Sequence, residues 1–244
     1  MTLPVFVVGA EALQRDRVEL GGDEGRHAVV VKRLRLGERV TLTDAQGAGA
    51  DCEVVEVSRR GLVAQVLVRR SEAVAVPALT VVQAIPKGEH AERAVDLLTE
   101  IGVDTIVPWA ASRNIVSWRG EREANALGRW RATAQAAAKQ SRRLRFPEVT
   151  ALHTTSEVAE LVEAADLALV LHEGAVGRLG EFVLPQSGVV VLVVGPEGGI
   201  TDDELASFAA RGGRPARLGP FVLRSSTAGV VGATAVLSRT PRWT

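Results

Sequence analysis

Val189-Val190-Val191-Leu192-Val193-Val194 runs directly into Gly195-Pro196-Glu197-Gly198-Gly199-Ile200 and then Thr201-Asp202-Asp203-Glu204. The first six residues have no polar face, as in a strand covered on both sides by helices. Thr201 followed three residues later by Glu204 has the form of a capping box at a helix start. A buried strand, a glycine loop and a helix in this order make one unit of an open α/β sheet. Ligands of such sheets bind beyond the carboxyl ends of the strands, where this loop falls. Its glycines permit positive φ and close approach to the backbone, and Glu197 sets a carboxylate in its middle. A side chain at Gly198 is expected to fill the space beside a ligand. No Lys follows Gly199, so the triphosphate loop G-x-x-x-x-G-K-[ST] is absent, as is the dinucleotide fingerprint G-x-G-x-x-G. On loop chemistry alone, a tight turn holding no ligand stays open.

The same texture extends on either side. Residues 79–85 form another continuous apolar run, 89–101 have helical spacing ending at Gly102, and 105–109 read as a short strand. Residues 121–141 read as a long basic helix with a break near Gly128. Helices over 156–164, 201–211 and 226–239 and a strand over 166–171 complete the pattern. Strands alternating with helices imply a mostly parallel sheet covered on both faces. Residues 1–72 differ: 39–44, 51–58 and 62–69 alternate apolar with polar around tight turns, which suggests a small β-barrel. Residues 71–77 read as a linker. The expected division is 1–72 and 77–244.

A second segment stands out toward the end, Leu218-Gly219-Pro220-Phe221-Val222-Leu223-Arg224-Ser225-Ser226-Thr227-Ala228-Gly229. A Gly-Pro turn leads to one isolated Arg, and hydroxyl residues then cap a helix. That helix carries Gly229 and Gly232, each costing about 1 kcal/mol against alanine, so something is expected to approach its backbone closely. Arg224 is expected to be buried and paired.

Bulk properties narrow the function. Of 244 residues, 46% are hydrophobic and 24% charged, ordinary for a soluble globular protein. The single Cys52 allows no internal disulfide, and no Cys/His cluster has metal-ligand spacing, so no metal is expected. No basic flank precedes an apolar run at the start and no run approaches membrane length, so the expected location is cytoplasmic. Net charge is zero but segregated. Residues 113–145 hold Arg113, Arg119, Arg122, Arg129, Arg131, Lys139, Arg142, Arg143 and Arg145 against Glu121 and Glu123 alone. A second cluster, Arg26, Lys32, Arg33, Arg35 and Arg39, is opposed within its span only by Glu38. Segregated charge suits a phosphate-facing surface, although a solvated helix face gives the same pattern.

Taken together, these segments resemble the RsmE family of SPOUT methyltransferases, the 16S rRNA uridine N3-methyltransferases. The loop at 195–199 and the segment 218–228 resemble the family's G-P-E-G-G and L-G-x-x-[IV]-L-R-x-x-T-A motifs. Residues 26–38 are similar to its R-H-x-x-x-V-x-R-x-x-x-G-[DE] segment. Lys87-Gly88-Glu89, Thr99-Glu100-Ile101-Gly102-Val103, Arg129-Trp130 and Lys139-Gln140-Ser141-Arg142 extend the match. Two departures exist: Ser226 stands where many members carry Glu, and Asp96-Leu97 where many carry Gln-Lys.

The resemblance implies a trefoil-knotted parallel α/β domain preceded by a PUA-like barrel. It also implies S-adenosylmethionine as cofactor, 16S rRNA of the small ribosomal subunit as partner, and a homodimer. The cofactor residues expected from it are Leu171, His172, Glu173, Gly195, Pro196, Glu197, Gly198, Gly199, Leu218, Gly219, Leu223, Ser225, Thr227 and Ala228. Arg224 and Glu197 are the expected catalytic pair, with His172 as an alternative base. Arg26, His27, Lys32, Arg33, Arg35, Arg113, Arg142 and Arg143 are expected to meet RNA. Two other readings remain, a SPOUT protein that binds RNA without turnover and a SPOUT ribose 2′-O-methyltransferase.

Overall fold

A computed structural model describes residues 3–243; residues 1, 2 and 244, the outer ends of the two expected segments, lie outside it. The chain forms two compact units. One comprises residues 1–74 together with 138–146, the other residues 75–137 and 147–244.

The first unit holds β1 (Val5–Val7), β2 (Arg17–Leu20), α1 (Gly22–Arg26), β3 (Arg39–Thr43), β4 (Ala48–Val57) and β5 (Leu62–Ser71). They form one sheet in the order β1-β3-β4-β5-β2, parallel between β1 and β3 and antiparallel elsewhere. Register shifts between Asp51 and Cys52 and between Val54 and Glu56 bend the β4–β5 pair, as bulges do. The sheet encloses Phe6, Val18, Leu20, Val40, Leu42, Ala50, Val54 and Ala64. Cys52 is buried there and unpaired. Burial, helped by the Asp51 carboxylate, pushes its thiol up to about 11, so it stays an inert thiol.

The sequence reading did not anticipate that residues 138–146 belong here. The cause is hydrogen bonding and packing between residues far apart in the sequence. Thr43 Oγ1 donates to the Leu144 carbonyl at 2.8 Å, Phe146 N–H donates to the Ala45 carbonyl, and Lys139 pairs with Glu24. A Cβ at Gly49 would lie 2.8 Å from Leu144 Cδ2, so the glycine makes room for that leucine.

The second unit holds β6 (Ala78–Ala84), α2 (His90–Glu100), β7 (Thr105–Trp109), α3 (Glu121–Gln140, which runs on into the first unit at 138), β8 (Glu148–Val149), α4 (Thr155–Ala164), β9 (Leu167–Leu171), β10 (Val189–Val194), α5 (Asp202–Ala210), β11 (Arg214–Ala216) and α6 (Ser225–Leu237). The six strands are all parallel, in the order β11-β9-β10-β6-β7-β8. This order is compatible with the knotted threading that the resemblance implies. Central β10 places Leu192 between Leu169 of β9 and Val81 of β6. Val190, Leu192 and Val194 join a core with Leu98, Trp130 and Val236, and Val191 and Val193 join one with Val158, Val162 and Phe208. Two buried faces are the reason the run from 189 to 194 has no polar alternation.

Helix α3 is unbroken through Gly128, where a Cβ would meet nothing within 4 Å. The helix pattern therefore tolerates a solvent-side glycine without a kink. Short strands β1, β2, β8 and β11 escaped the sequence reading, being too short to show a period. Among the described residues no helix is long and apolar enough to cross a membrane.

Candidate active site

The carboxyl ends of β9, β10 and β11 open onto one cleft of about 600 Å³ in the second unit. Three segments wall it: 171–173 after β9, 194–200 after β10, and 216–225 between β11 and the start of α6. Leu171, His172, Glu173, Gly195, Pro196, Glu197, Gly198, Gly199, Leu218, Gly219, Leu223, Ser225 and Ala228 all line it, as do Arg224 and Arg113. Thr227 does not; it is exposed in the first turn of α6, and the helical twist turns it away. Ser226 is 5% exposed and is not among the lining residues either.

One expectation needs correction. Arg224 is exposed, as is Glu197, and among the described residues no ion pair joins them. The backbone of Arg224 serves as the N-cap of α6, which leaves its side chain outside the core. Glu197 instead accepts from the Lys87 N–H at 3.2 Å, tying the glycine loop to the segment after β6. Gly198 lines the cleft and is also approached by a neighbouring segment. A Cβ there would lie 2.9 Å from Arg113 Cβ and 3.1 Å from the Arg113 carbonyl. The glycine therefore admits the backbone of residue 113, not only a ligand. Arg113 also donates to the Gly198 carbonyl at 3.2 Å.

His172 is half-buried, and its Nδ1 accepts from the Gly174 N–H at 3.1 Å. A ring nitrogen that accepts carries no proton, so the neutral imidazole holds its proton on Nε2.

Gln83, at the end of β6, was missed by the sequence reading. It is fully buried, and its Nε2 donates to the Ala84 carbonyl at 3.1 Å and to Ser225 Oγ at 2.9 Å. Ser225 Oγ in turn donates to the Gly195 carbonyl at 2.7 Å. One amide thus joins β6, the glycine loop and the first turn of α6. Gln83 Oε1 has no hydrogen-bond partner among the described residues and lies where a Cβ on Gly229 would come within 2.8 Å. This is the close approach that a glycine inside α6 implied, and Gly232 makes room in the same way for Leu192. The available signal was a lone amide among Val81, Val82, Ala84 and Ile85.

Glu204 is the third position of α5 and only 3% exposed. Burial alone would push its carboxyl up. Hydrogen bonds from Thr201 and Ser112 outweigh that and hold it below the usual carboxylate range.

The basic residues divide between the units. Arg26, His27, Lys32, Arg33, Arg35 and Arg142 are exposed in the first unit, with Arg143 half-buried. Arg33 and Arg142 take left-handed backbone conformations, φ 55° and 62°, so each sits at a sharp turn in the chain. Arg143 Nε donates to the Arg145 carbonyl. Arg113 alone of the expected RNA residues belongs to the second unit. Among the described residues no cluster could hold a metal ion.

Residues 74–237 match the RNA methyltransferase domain family and residues 20–67 match the RNA methyltransferase PUA domain family. The ribosomal RNA small subunit methyltransferase E of Mycobacterium bovis is 46% identical over 226 residues, covering 91% of this chain and 86% of its own. That of Bacillus subtilis is 28% identical, covering 90% and 89%. The structure of ribosomal RNA small subunit methyltransferase E from Neisseria gonorrhoeae bound to S-adenosyl methionine superimposes with a TM-score of 0.85 at 27% identity, over 97% of both chains. With the glycine loop, the 218–228 segment and the N-terminal sheet all accounted for, the chain belongs to the ribosomal RNA small subunit methyltransferase E (RsmE) family of RNA methyltransferases.

Proposed function

We propose that this chain transfers a methyl group from S-adenosylmethionine to N3 of a uridine in 16S rRNA, acting on the small ribosomal subunit as a homodimer. The observation that carries the reading is the convergence of the 195–199 loop and the 216–228 segment on one cleft beyond the carboxyl ends of a parallel sheet. The cofactor-bound Neisseria gonorrhoeae relative has the same fold, which supports assigning the cleft to that ligand. The residues present fit it. The cleft lies within the roughly 300–1,000 Å³ usual for small-molecule sites. Leu171, Leu218 and Leu223 offer apolar surface for an adenine ring, and Gly195 and Gly219 leave the backbone open to its polar edge. When bound, S-adenosylmethionine supplies an electrophilic methyl whose bond to sulfur breaks as the bond to N3 forms.

The chain's own task is to present an unpaired uridine and to manage its imide proton. N3 lies on the pairing edge, so the base must leave any helix to react. The exposed Arg224 guanidinium at the cleft forms no ion pair among the described residues and is placed to stabilise the uridine anion. Glu197 is the better proton acceptor. His172, with Nδ1 already accepting from Gly174 N–H, offers the cleft a donor at Nε2. A homodimer is supported by Phe221 and Val222, which are 82% and 81% exposed at the cleft wall, an arrangement suited to a covering subunit. The exposed Arg26, His27, Lys32, Arg33, Arg35 and Arg142, with the half-buried Arg143, supply the phosphate contacts.

The test is methylation of purified, unmodified small subunits with labelled S-adenosylmethionine, followed by digestion and mass spectrometry of the nucleosides. The expected product is 3-methyluridine. A ribose 2′-O-methyl product would replace the N3 assignment, and RNA binding without any product would make the chain a non-catalytic binder.

A further inference from the structure

Helices α4 and α5 of the second unit each begin with a capping box, and they use it differently. At α4, Glu157 returns one oxygen to Thr154, whose N–H and hydroxyl donate at 2.7 and 2.8 Å, and the side chain stands exposed. At α5, Glu204 makes the same contacts through Oε2, to the Thr201 N–H at 2.9 Å and its hydroxyl at 3.0 Å. Its other oxygen is used across the fold. Oε1 accepts from the Ser112 N–H at 2.8 Å and from Thr155 Oγ1 at 3.2 Å, while Thr155 Oγ1 itself accepts from Trp109 Nε1. A cap needs only one of these oxygens. All four groups facing the carboxylate are donors, so its charge is matched although it is buried.

The residue after Ser112 is Arg113, which packs on Gly198 and bonds to its carbonyl. Gly198 precedes Glu204 by six residues, so the path Glu204–Ser112–Arg113–Gly198 closes on itself. We propose that Glu204 is a positioning residue for the methyl-transfer site: through the Ser112 N–H it holds Arg113 against the glycine loop, fixing a cation at the cleft wall for the incoming RNA. This rests on the cleft being the methyl-transfer site. Without the tether, the backbone of the 111–114 segment keeps the Asn114 bonds to the Trp109 and Ala111 carbonyls, and the Arg113 guanidinium, still within reach of the Gly198 carbonyl, loses a fixed origin. Misplacing a positioning group weakens productive binding more than it weakens the fold.

Glu204→Gln is the discriminating variant, because a carboxamide has one acceptor oxygen for four donors and cannot serve both sides. Thr201→Ala is its control, since it removes the capping hydroxyl and leaves Oε1 on Ser112. Calorimetric titration of the wild type with S-adenosylmethionine comes first; no binding there would refute the cleft assignment itself. Given binding, Glu204→Gln is expected to raise the KM for unmodified small subunits at least fivefold, with kcat within twofold. Thr201→Ala, even at equal or greater loss of thermal stability, should leave KM within twofold. Arg113→Ala should match the KM of Glu204→Gln, and the double variant should be no worse than Arg113→Ala alone. An unchanged KM in folded Glu204→Gln, a rise of the same size in Thr201→Ala, or effects that multiply in the double variant would each overturn the proposal. If Glu204→Gln does not fold, Ser112→Pro deletes the donor at an exposed position, with the same expected rise and the same refuting result.

Discussion

Replacing Gly229 by Ala tests how the two halves of the cleft are held together, because two effects of known size oppose each other. Alanine in a helix interior is worth about 1 kcal/mol over glycine, so on propensity alone α6 would gain. Against this, the added Cβ would lie 2.8 Å from Gln83 Oε1, closer than the two atoms can approach. Gln83 cannot simply swing aside. It is fully buried, and its amide is pinned to the Ala84 carbonyl and to Ser225 Oγ. Breaking those two bonds costs about 1 kcal/mol each, and residual overpacking adds about 1 kcal/mol or more. The net is a loss of about 2 kcal/mol, or roughly 4–8 °C in Tm for a unit of this size. Gly232→Ala is the comparison. Its Cβ would approach Leu192 Cδ2 at 2.8 Å and Leu171 Cδ1 at 3.2 Å, both methyl ends that can turn, so the helix gain largely offsets the strain. Thermal unfolding followed by circular dichroism reads both variants. Gly229→Ala should unfold several degrees below Gly232→Ala and should bind S-adenosylmethionine more weakly, because the Ser225–Gly195 link moves with Gln83. A Gly229→Ala protein as stable as the wild type would refute the account of Gln83 as the fixed point of the cleft.

Arg224→Ala should lower turnover more than tenfold, over ~1.4 kcal/mol of barrier, with cofactor affinity nearly unchanged. Single-turnover methylation and calorimetry separate the two, and Arg224→Lys should recover only part of the loss, since an ammonium lacks the planar fork. Replacing Arg33 and Arg35 together by Ala should weaken RNA binding and flatten its dependence on log salt by about one unit for every phosphate left without its arginine. Filter binding across a salt series reads this, and an unchanged slope would remove the first unit from RNA docking.

Much of the second unit was legible because its strands are buried on both faces. A residue run such as 189–194 cannot be apolar throughout unless helices cover both sides, so the strand, its parallel neighbours and the position of the glycine loop followed from the sequence. The capping box from Thr201 to Glu204 was legible because it is local, closed within four residues. The 195–199 and 218–228 segments stood out in the sequence by their glycines, one arginine and hydroxyls in fixed order, and the structure brings both to one cleft. Contacts between residues far apart in sequence were not legible. Gln83 and Ser225 are 142 positions apart, and nothing local to either one indicates the other. The second oxygen of Glu204 follows the same logic, because its sequence signal is already explained by Thr201, while its partner Ser112 lies 92 positions away. The burial of Arg224 was misjudged because an apolar neighbourhood in sequence is not one in space; Phe221 and Val222 beside it are exposed as well. Residues 138–146 join the first unit through Leu144 packed on Gly49, a choice made by side-chain fit across the chain. Sequence by itself determined the longer helices and strands, the parallel character of the second unit's sheet and the composition of the loops, because those depend on neighbours within a few residues. Tertiary structure decided which loops share a cleft and which buried polar atoms hold them there, because a buried donor must find its acceptor wherever the chain brings one.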